Sequence, residues 1–243
     1  MSTVTTTAGS IEREASQAGV RQWLLDALTV SSGAIDSISF LGLGKVFTAF
    51  MTGNVAFLGM GIAGNPVPRI VSVLASMAGF AVGIYFATRI TSSDEQQTGG
   101  IWSPRTTFVL GVSLLAHICF TAIWFATGGR PGAGVFPILL AVWALAMGLQ
   151  SGAVKKLHVE GIFTTAATGT LMVLAADLVN WRLTRDERRR YRGVLISLVI
   201  GATAGAYLIF HAPIFAPVLP LVITAGVVVT AATVRWSSEA PEA

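Results

Sequence analysis

The sequence predicts an all-α polytopic membrane protein built of two inverted repeats. Each repeat holds three transmembrane helices and one broken or re-entrant Thr-Gly segment; eight full spans is the alternative. Three observations carry this expectation. Hydrophobic residues make up 53% of the 243 and charged residues 12%, with a positive mean hydropathy, whereas a soluble globular chain carries about 25% charged residues. Apolar runs of about 20 residues, enough to cross a hydrocarbon core of ~30 Å, recur from Trp23 almost to the C-terminus. Finally, one phrase occurs twice: residues 46–58 return 116 positions later as residues 162–174, with Phe47, Thr48, Thr52, Gly53 and Leu58 matched by Phe163, Thr164, Thr168, Gly169 and Leu174.

In order, the apolar segments are expected at 23–43, 46–63, 70–90, 106–127, 135–154, 162–178, 193–210 and 214–234. Glycine and proline punctuate the short breaks, at Gly64, Pro66 and Pro68, at Gly128, Gly129, Pro131 and Gly132, and at Pro213. Two polar loops are longer, 91–105 and 180–192. The second carries Arg182, Arg185, Arg188, Arg189, Arg190 and Arg192, a cluster that between membrane segments marks a cytoplasmic loop facing anionic headgroups rather than a nucleic-acid surface. Residues 1–22 are expected as a flexible cytoplasmic N-terminus, 23–127 as the first membrane repeat, 135–234 as the second and 235–243 as a tail. The N-terminal stretch lacks an apolar core followed by a cleavage site, so no secretory signal is assigned. The single cysteine, Cys119, lies in an apolar run and reads as a packing residue, with no disulfide framework and no metal site.

Charge bias chooses between two ways of threading the segments. If all eight span, eleven basic residues fall inside and five outside; if both Thr-Gly segments enter and leave on one side, thirteen fall inside and only Lys45, Arg69 and Arg130 outside. The positive-inside rule therefore favours six spans plus two re-entrant segments, with both termini cytoplasmic. That threading turns the second half upside down relative to the first, a recurring design of channels and secondary transporters.

The repeat extends beyond the phrase. Gly79, Gly83 and Tyr85 align with Gly201, Gly205 and Tyr207 as a shared G-x-x-x-G-x-Y, at a shift of 122. Small residues four apart let helices approach closely in lipid, so these glycines are read as packing faces, within the chain or between subunits of a homo-oligomer. Upstream, Gly33 and Asp36 sit near the positions of Gly148 and Gln150, with a one-residue slip.

The run from Gly33 to Gly44 with Asp36, then Met51-Thr52-Gly53-Asn54, Gly148-Leu149-Gln150 and the stretch from Thr164 to Thr170, resembles the YoaK-type family of bacterial membrane proteins, a domain-of-unknown-function family. The resemblance covers about residues 23–234. It implies the membrane fold and a bacterial cytoplasmic (inner) membrane, and it brings no substrate.

Few polar groups lie at membrane depth. Thr29, Ser32, Asp36 and Ser39 fall three, four and three residues apart, so they share one helical face. A mid-helix Asp costs about 3 kcal/mol on insertion scales, so Asp36 is expected to face the bundle interior, as a cation, proton or solute site or as an acceptor that joins helices. Gln150 is read as its second-half counterpart. His117 alone is too little for a metal centre, which needs three or four ligands, and reads as an interhelical hydrogen bond or a proton relay. Gly53 and Gly169 are read as permitting backbone breaks, with Thr48, Thr52, Asn54, Thr164, Thr168 and Thr170 partnering the freed backbone groups; the alternative is that the threonines bond back to their own helices.

Enzyme motifs are missing. Gly42-Leu43-Gly44-Lys45 resembles a phosphate loop but lacks the upstream glycine and the following Ser or Thr, and neither G-x-S-x-G nor H-E-x-x-H occurs. The expectation is a non-enzymatic transporter or channel for a small solute or ion, without cofactor, its central site lined by Asp36, Gln150 and the Thr-Gly breaks, with Ser32, Ser39 and His117 behind them. The competing class is a membrane scaffold or accessory subunit working through its G-x-x-x-G faces. The expected partners are the lipid bilayer and the solute or ion.

Overall fold

A computed structural model describes residues 2–64, 68–92, 102–155 and 167–234, with side chains from residue 16 onward. The described residues form eight α-helices, α1 (Ser2–Gly42), α2 (Met51–Ile62), α3 (Ile70–Thr91), α4 (Pro104–Ala126), α5 (Phe136–Lys155), α6 (Ala167–Asn180), α7 (Arg185–His211) and α8 (Val218–Thr233), with a 3-10 turn at Pro213–Phe215 before α8. Six stretches are long and apolar enough to cross a membrane: Ser16–Gly42, Ile70–Thr91, Pro104–Ala126, Phe136–Lys155, Arg185–His211 and Pro213–Thr233. The other two helices, α2 with 12 residues and α6 with 14, carry the Thr-Gly phrases. At 1.5 Å per residue they rise only about 18 and 21 Å, short of a ~30 Å core.

Helix ends follow local chemistry. Ser103 caps α4 by accepting from the Thr106 amide, with Pro104 at the first helical position, where its missing N–H loses nothing. Thr184 and Glu187 form a capping box at the start of α7: the Thr184 hydroxyl accepts from the Glu187 amide, and the Glu187 carboxylate accepts from the Thr184 amide and hydroxyl, each at 2.8 Å. This box draws Arg185 to Arg192 into the helix, so the expected 180–192 loop shrinks to 181–184. At the other terminus α1 runs back through residues expected as a flexible arm.

The first break also differs from expectation. Gly53 and Gly169 do not interrupt the backbone; each is the third residue of a helix. The chain turns earlier, where Gly44 (φ 82) and Lys45 (φ 66) are left-handed and the Lys45 amide reaches back to the Phe40 carbonyl at 3.1 Å. This is a Schellman ending, which needs a residue free of Cβ strain at the position of Gly44.

Two helix pairs form the tightest contacts, α3 with α5 and α1 with α7. Both are made by glycine. Gly33 lies on the Leu198 carbonyl while Gly201 lies on that of Val30, and Gly83 lies on the Leu145 carbonyl while Gly148 lies on that of Phe80. Gly79 and Gly205 rest likewise on the carbonyls of Ala141 and Ala34. A Cβ at these points would run into backbone, which cannot rotate away. The expected packing glycines thus pack within the chain.

The interior contains two apolar clusters. One joins Leu24, Leu25, Leu28, Val109, Leu110, Leu149, Ala153 and Val227; the other joins Ile35, Ile38, Leu43, Phe120, Trp124, Leu139, Trp143 and Met147. On α6, Asp177 binds the Arg188 Nε of α7 at 2.7 Å through Oδ2 and accepts from the Leu183 amide at 2.8 Å through Oδ1, fastening the short helix to its neighbour.

Gly83→Leu or Gly201→Leu is expected to lower stability by more than the ~1–3 kcal/mol of ordinary overpacking. Gly111→Ala, whose Cβ meets nothing within 4 Å, is expected to melt like the wild type. Size-exclusion of heated detergent samples reads the difference. For the α6 clip, Arg188 first and the Leu183 amide second hold the Asp177 carboxyl below its ordinary value of 3.8. The folded value lies under the unfolded one, so the contribution is present above the unfolded value and is lost as pH falls through the folded one. Hydrogen exchange at the Leu183 amide, corrected for intrinsic rates, should accelerate below about pH 4, and in Asp177→Asn already at neutral pH.

Candidate functional site

Residues 46–50 are neither helix nor strand, and backbone of this kind at membrane depth survives only if its N–H and C=O groups find protein or water. Here three side chains from three helices bind it. Asp36 of α1 accepts through Oδ1 from the Thr48 amide (2.8 Å), the Ala49 amide (2.8 Å) and the Thr48 hydroxyl (3.3 Å). Asn54 of α2 accepts from the Phe47 amide at 3.1 Å and donates to the Phe47 carbonyl at 2.7 Å. Ser76 of α3 donates to that same carbonyl at 2.6 Å and lies 3.3 Å from the Asn54 amide nitrogen. Around this clamp Phe47 stacks on Phe40 and Phe57, with centroids 4.8 and 5.9 Å apart. Gly53 leaves room for the Phe50 ring, which a Cβ would meet at 2.6 Å.

Asp36, Thr48 and Asn54 are therefore brought together as expected, but the group they hold is this chain's own backbone. Thr52 points away and is exposed, as are Thr168 and Gly169. Thr170, the counterpart of Asn54 in the repeated phrase, is buried like it. Thr164 lies outside the described residues. Thr29 and Ser39, at the ends of the α1 stripe, donate to the Leu25 and Asp36 carbonyls of their own helix. Cys119, expected as a packing residue, is exposed.

A second constellation lies at the junction of the two apolar clusters. Ser31 and Ser32 of α1, Ser113 and His117 of α4, Gln150 of α5 and Thr224 of α8 are all buried there. Local bonds fix the layer. Ser31 and Thr224 hydroxyls lie 3.3 Å apart, Ser113 donates to the Ala146 carbonyl at 3.1 Å, and the Gln150 side-chain amide donates to the Leu28 carbonyl at 3.3 Å. His117 is one turn from both Ser113 and Phe120, and Phe120 stacks on Trp143 with centroids 3.4 Å apart, so the imidazole shares the α4 face that meets α5. Ser32 follows Leu28 by one turn on the α1 face that receives Gln150.

Several polar atoms of this layer have no hydrogen-bond partner among the described residues: Ser32 Oγ, both ring nitrogens of His117 and Gln150 Oε1, with Trp143 Nε1 and Ser151 Oγ nearby on α5. Native interiors leave few such groups, and each one calls for a reason. The layer contains no carboxylate, lysine or arginine; its groups are donors and acceptors of neutral hydrogen bonds. Gln150 does not join Asp36. Its contact, Leu28, lies two turns down α1, about 12 Å along the helix, so the expected single site divides into a backbone clamp and a polar layer. Ser76 and Trp143 escaped the sequence reading because a serine or tryptophan in an apolar helix carries no signal of what it faces. Among the described residues, no group of three or more His, Cys, Asp or Glu is placed to hold a metal.

The model of a family described as "Protein of unknown function (DUF1275)" matches residues 24–231. The chain is 30% identical over 174 residues, 72% of its own length and 74% of the relative's, to the UPF0700 transmembrane protein YoaK of Bacillus subtilis (strain 168). No solved structure matches it.

The clamp makes a graded prediction. Asp36→Ala leaves the Thr48 and Ala49 amides unpaired, at roughly 1–3 kcal/mol for each buried donor, and is expected to melt well below the wild type in detergent. Asp36→Asn keeps a carbonyl acceptor and is expected to lose less than half as much. Equal melting of all three proteins would dispose of the clamp.

Proposed function

We propose that this chain, which belongs to the DUF1275 family, is an inner-membrane transporter or channel for a small solute, with its site in the polar layer of Ser32, His117 and Gln150. The observation that carries this reading is the set of buried, unpartnered polar atoms in that layer. Polar groups at membrane depth are expensive and mark solute pathways, pairing sites or relays; pairing is what these atoms lack. A layer of neutral donors and acceptors in a low-dielectric bundle favours an uncharged, hydrogen-bonding solute over an ion, whose desolvation it has no fixed charge to offset. Asp36 stands aside from the pathway on this reading, because its carboxylate is committed to the first backbone break.

We read the two glycine interlocks as halves of an inverted repeat, which favours a site at this depth. Gly33 on Leu198 and Gly201 on Val30 have the same interlock as Gly148 on Phe80 and Gly83 on Leu145, each glycine resting three residues before its partner. Exchanging α1 with α5 and α3 with α7 turns one pair into the other. Gly83 then corresponds to Gly201, one turn away from the alignment of the two G-x-x-x-G-x-Y motifs. We place both termini in the cytoplasm on charge bias alone. The scaffold reading depended on free G-x-x-x-G faces, and in this chain helix partners fill them.

Osmotic response of proteoliposomes tests the reading. Wild type is expected to pass members of a panel of small neutral amides and polyols faster than empty vesicles, and saturating solute to stabilise it, by about 2.7 kcal/mol at a hundred times Kd. Gln150→Leu is expected to abolish both effects while leaving the solute-free protein as stable or slightly more so, since it replaces an orphan carbonyl with an apolar group. Thr52→Ala, on the exposed face, is expected to retain both. No permeation and no stabilisation across the panel would overturn the proposal.

A further inference from the structure

We propose that the exposed face of α7 at its N-terminal end is a binding site for an anionic phospholipid. It rests on observations separate from the polar layer. The 27 residues of α7 rise about 40 Å, roughly two turns more than the hydrocarbon core. Exposed residues 185, 189, 192, 196, 199, 203, 207 and 210 are spaced by three and four, so they form one continuous stripe, with Asp186, Ile200 and His211 also exposed along its edge. The stripe changes character along its length. From Ile196 to Phe210 it is almost wholly apolar and open, as a lipid-facing surface must be. Its first two turns present Arg185, Arg189 and Arg192 in line with that surface, where the headgroups of lipids packed on α7 would lie.

The other two arginines of α7 are differently employed. Arg188 turns inward to Asp177, and Arg190 is partly buried. Arg185, Arg189 and Arg192 are exposed and form no ion pair with the described residues. Glu187 is occupied by the capping box, which leaves Asp186 as the exposed acid on these turns. Leu178 and Val179 at the end of α6 are exposed, as is Trp181 just past it, whose ring lies 5.3 Å from the Arg188 guanidinium; these are acyl-chain and interfacial contacts of the kind lipid requires. A guanidinium ladder recognises phosphate oxygens by paired hydrogen bonds, and the apolar stripe below it commits the ligand to one with tails.

The test uses the full chain in neutral detergent, titrated with phosphatidylglycerol or phosphatidylcholine of the same acyl length, with retained lipid counted by native mass spectrometry. Phosphatidylglycerol is expected to be retained preferentially. The preference should fall about fivefold for each arginine removed and roughly a hundredfold in the triple variant Arg185→Gln, Arg189→Gln, Arg192→Gln. Arg188→Gln is expected to lower thermal stability and leave the lipid preference intact. Should the triple variant fail to fold, Arg192→Gln alone carries the fivefold test. Equal retention of the two lipids by wild type would overturn the proposal, as would a preference that survives these substitutions. Displacement of the lipid by millimolar inorganic phosphate would also overturn it, by showing an anion site indifferent to tails.

Discussion

A stretch of non-helical backbone inside a membrane-embedded bundle must have its amides and carbonyls bound by something, and much of the first half of this protein is arranged to meet that requirement at Phe47 to Ala49. The donors of Thr48 and Ala49 point at one carboxylate oxygen of Asp36. Phe47 has both its backbone groups taken by Asn54, with Ser76 sharing the carbonyl. Three helices are tied to one break. The Schellman turn at Gly44 delivers the chain to it, and the short helix α2 starts directly after it. An intramembrane carboxylate whose Oδ1 accepts from two backbone amides and a hydroxyl of the chain's own break is a fold determinant first. That commitment is why the solute site proposed here lies elsewhere.

The glycine interlocks set the second constraint. Lipid tails are as apolar as leucine, so helices in a membrane associate through close packing and hydrogen bonds instead of solvent exclusion. In α1 with α7 and α3 with α5 that packing is backbone on backbone; α5, held to α3 by glycine and to α4 by Ser113 and the Phe120–Trp143 stack, is buried along its length from Leu139 to Val154. Burial of α5 carries Gln150 into the middle of the bundle, opposite α1 and beside the His117 face of α4. The polar layer lies where α1, α4 and α8 close around α5 and one another.

How much of this was legible varied with the range of the cause. The apolar runs, their lengths and the exceptional character of the two Thr-Gly phrases were readable, because span length and helix period are local properties of the chain. The capping box at Thr184 and Glu187 was also present in the sequence as a T-x-x-E signature; reading the arginines as a loop obscured it. Gly53 and Gly169 misled, since a glycine inside a threonine-rich run suggests a break, and what Gly53 supplies is space for Phe50. The pairing of Asp36 with Gln150 rested on a one-residue slip between the two halves. In the fold Gln150 of α5 contacts α1 at Leu28, two turns from Asp36.

By itself the sequence determined a membrane protein with several apolar helices, six of them long enough to span and two short, because hydrophobic length needs no knowledge of neighbours. It also placed Asp36, Asn54 and Thr48 among the residues that matter. Only the tertiary structure decided what they do: a carboxylate looks alike whether it faces a solute or an amide twelve residues ahead, and the turn at Gly44 and Lys45 brings that amide within 2.8 Å. Equally, nothing in the spacing of Ser32, His117 and Gln150, on three helices far apart in sequence, puts them in one layer. Packing of α1, α4, α5 and α8 does that, through contacts such as Gln150 on the Leu28 carbonyl and Ser113 on that of Ala146, and such contacts are a property of surfaces that meet only in the folded bundle.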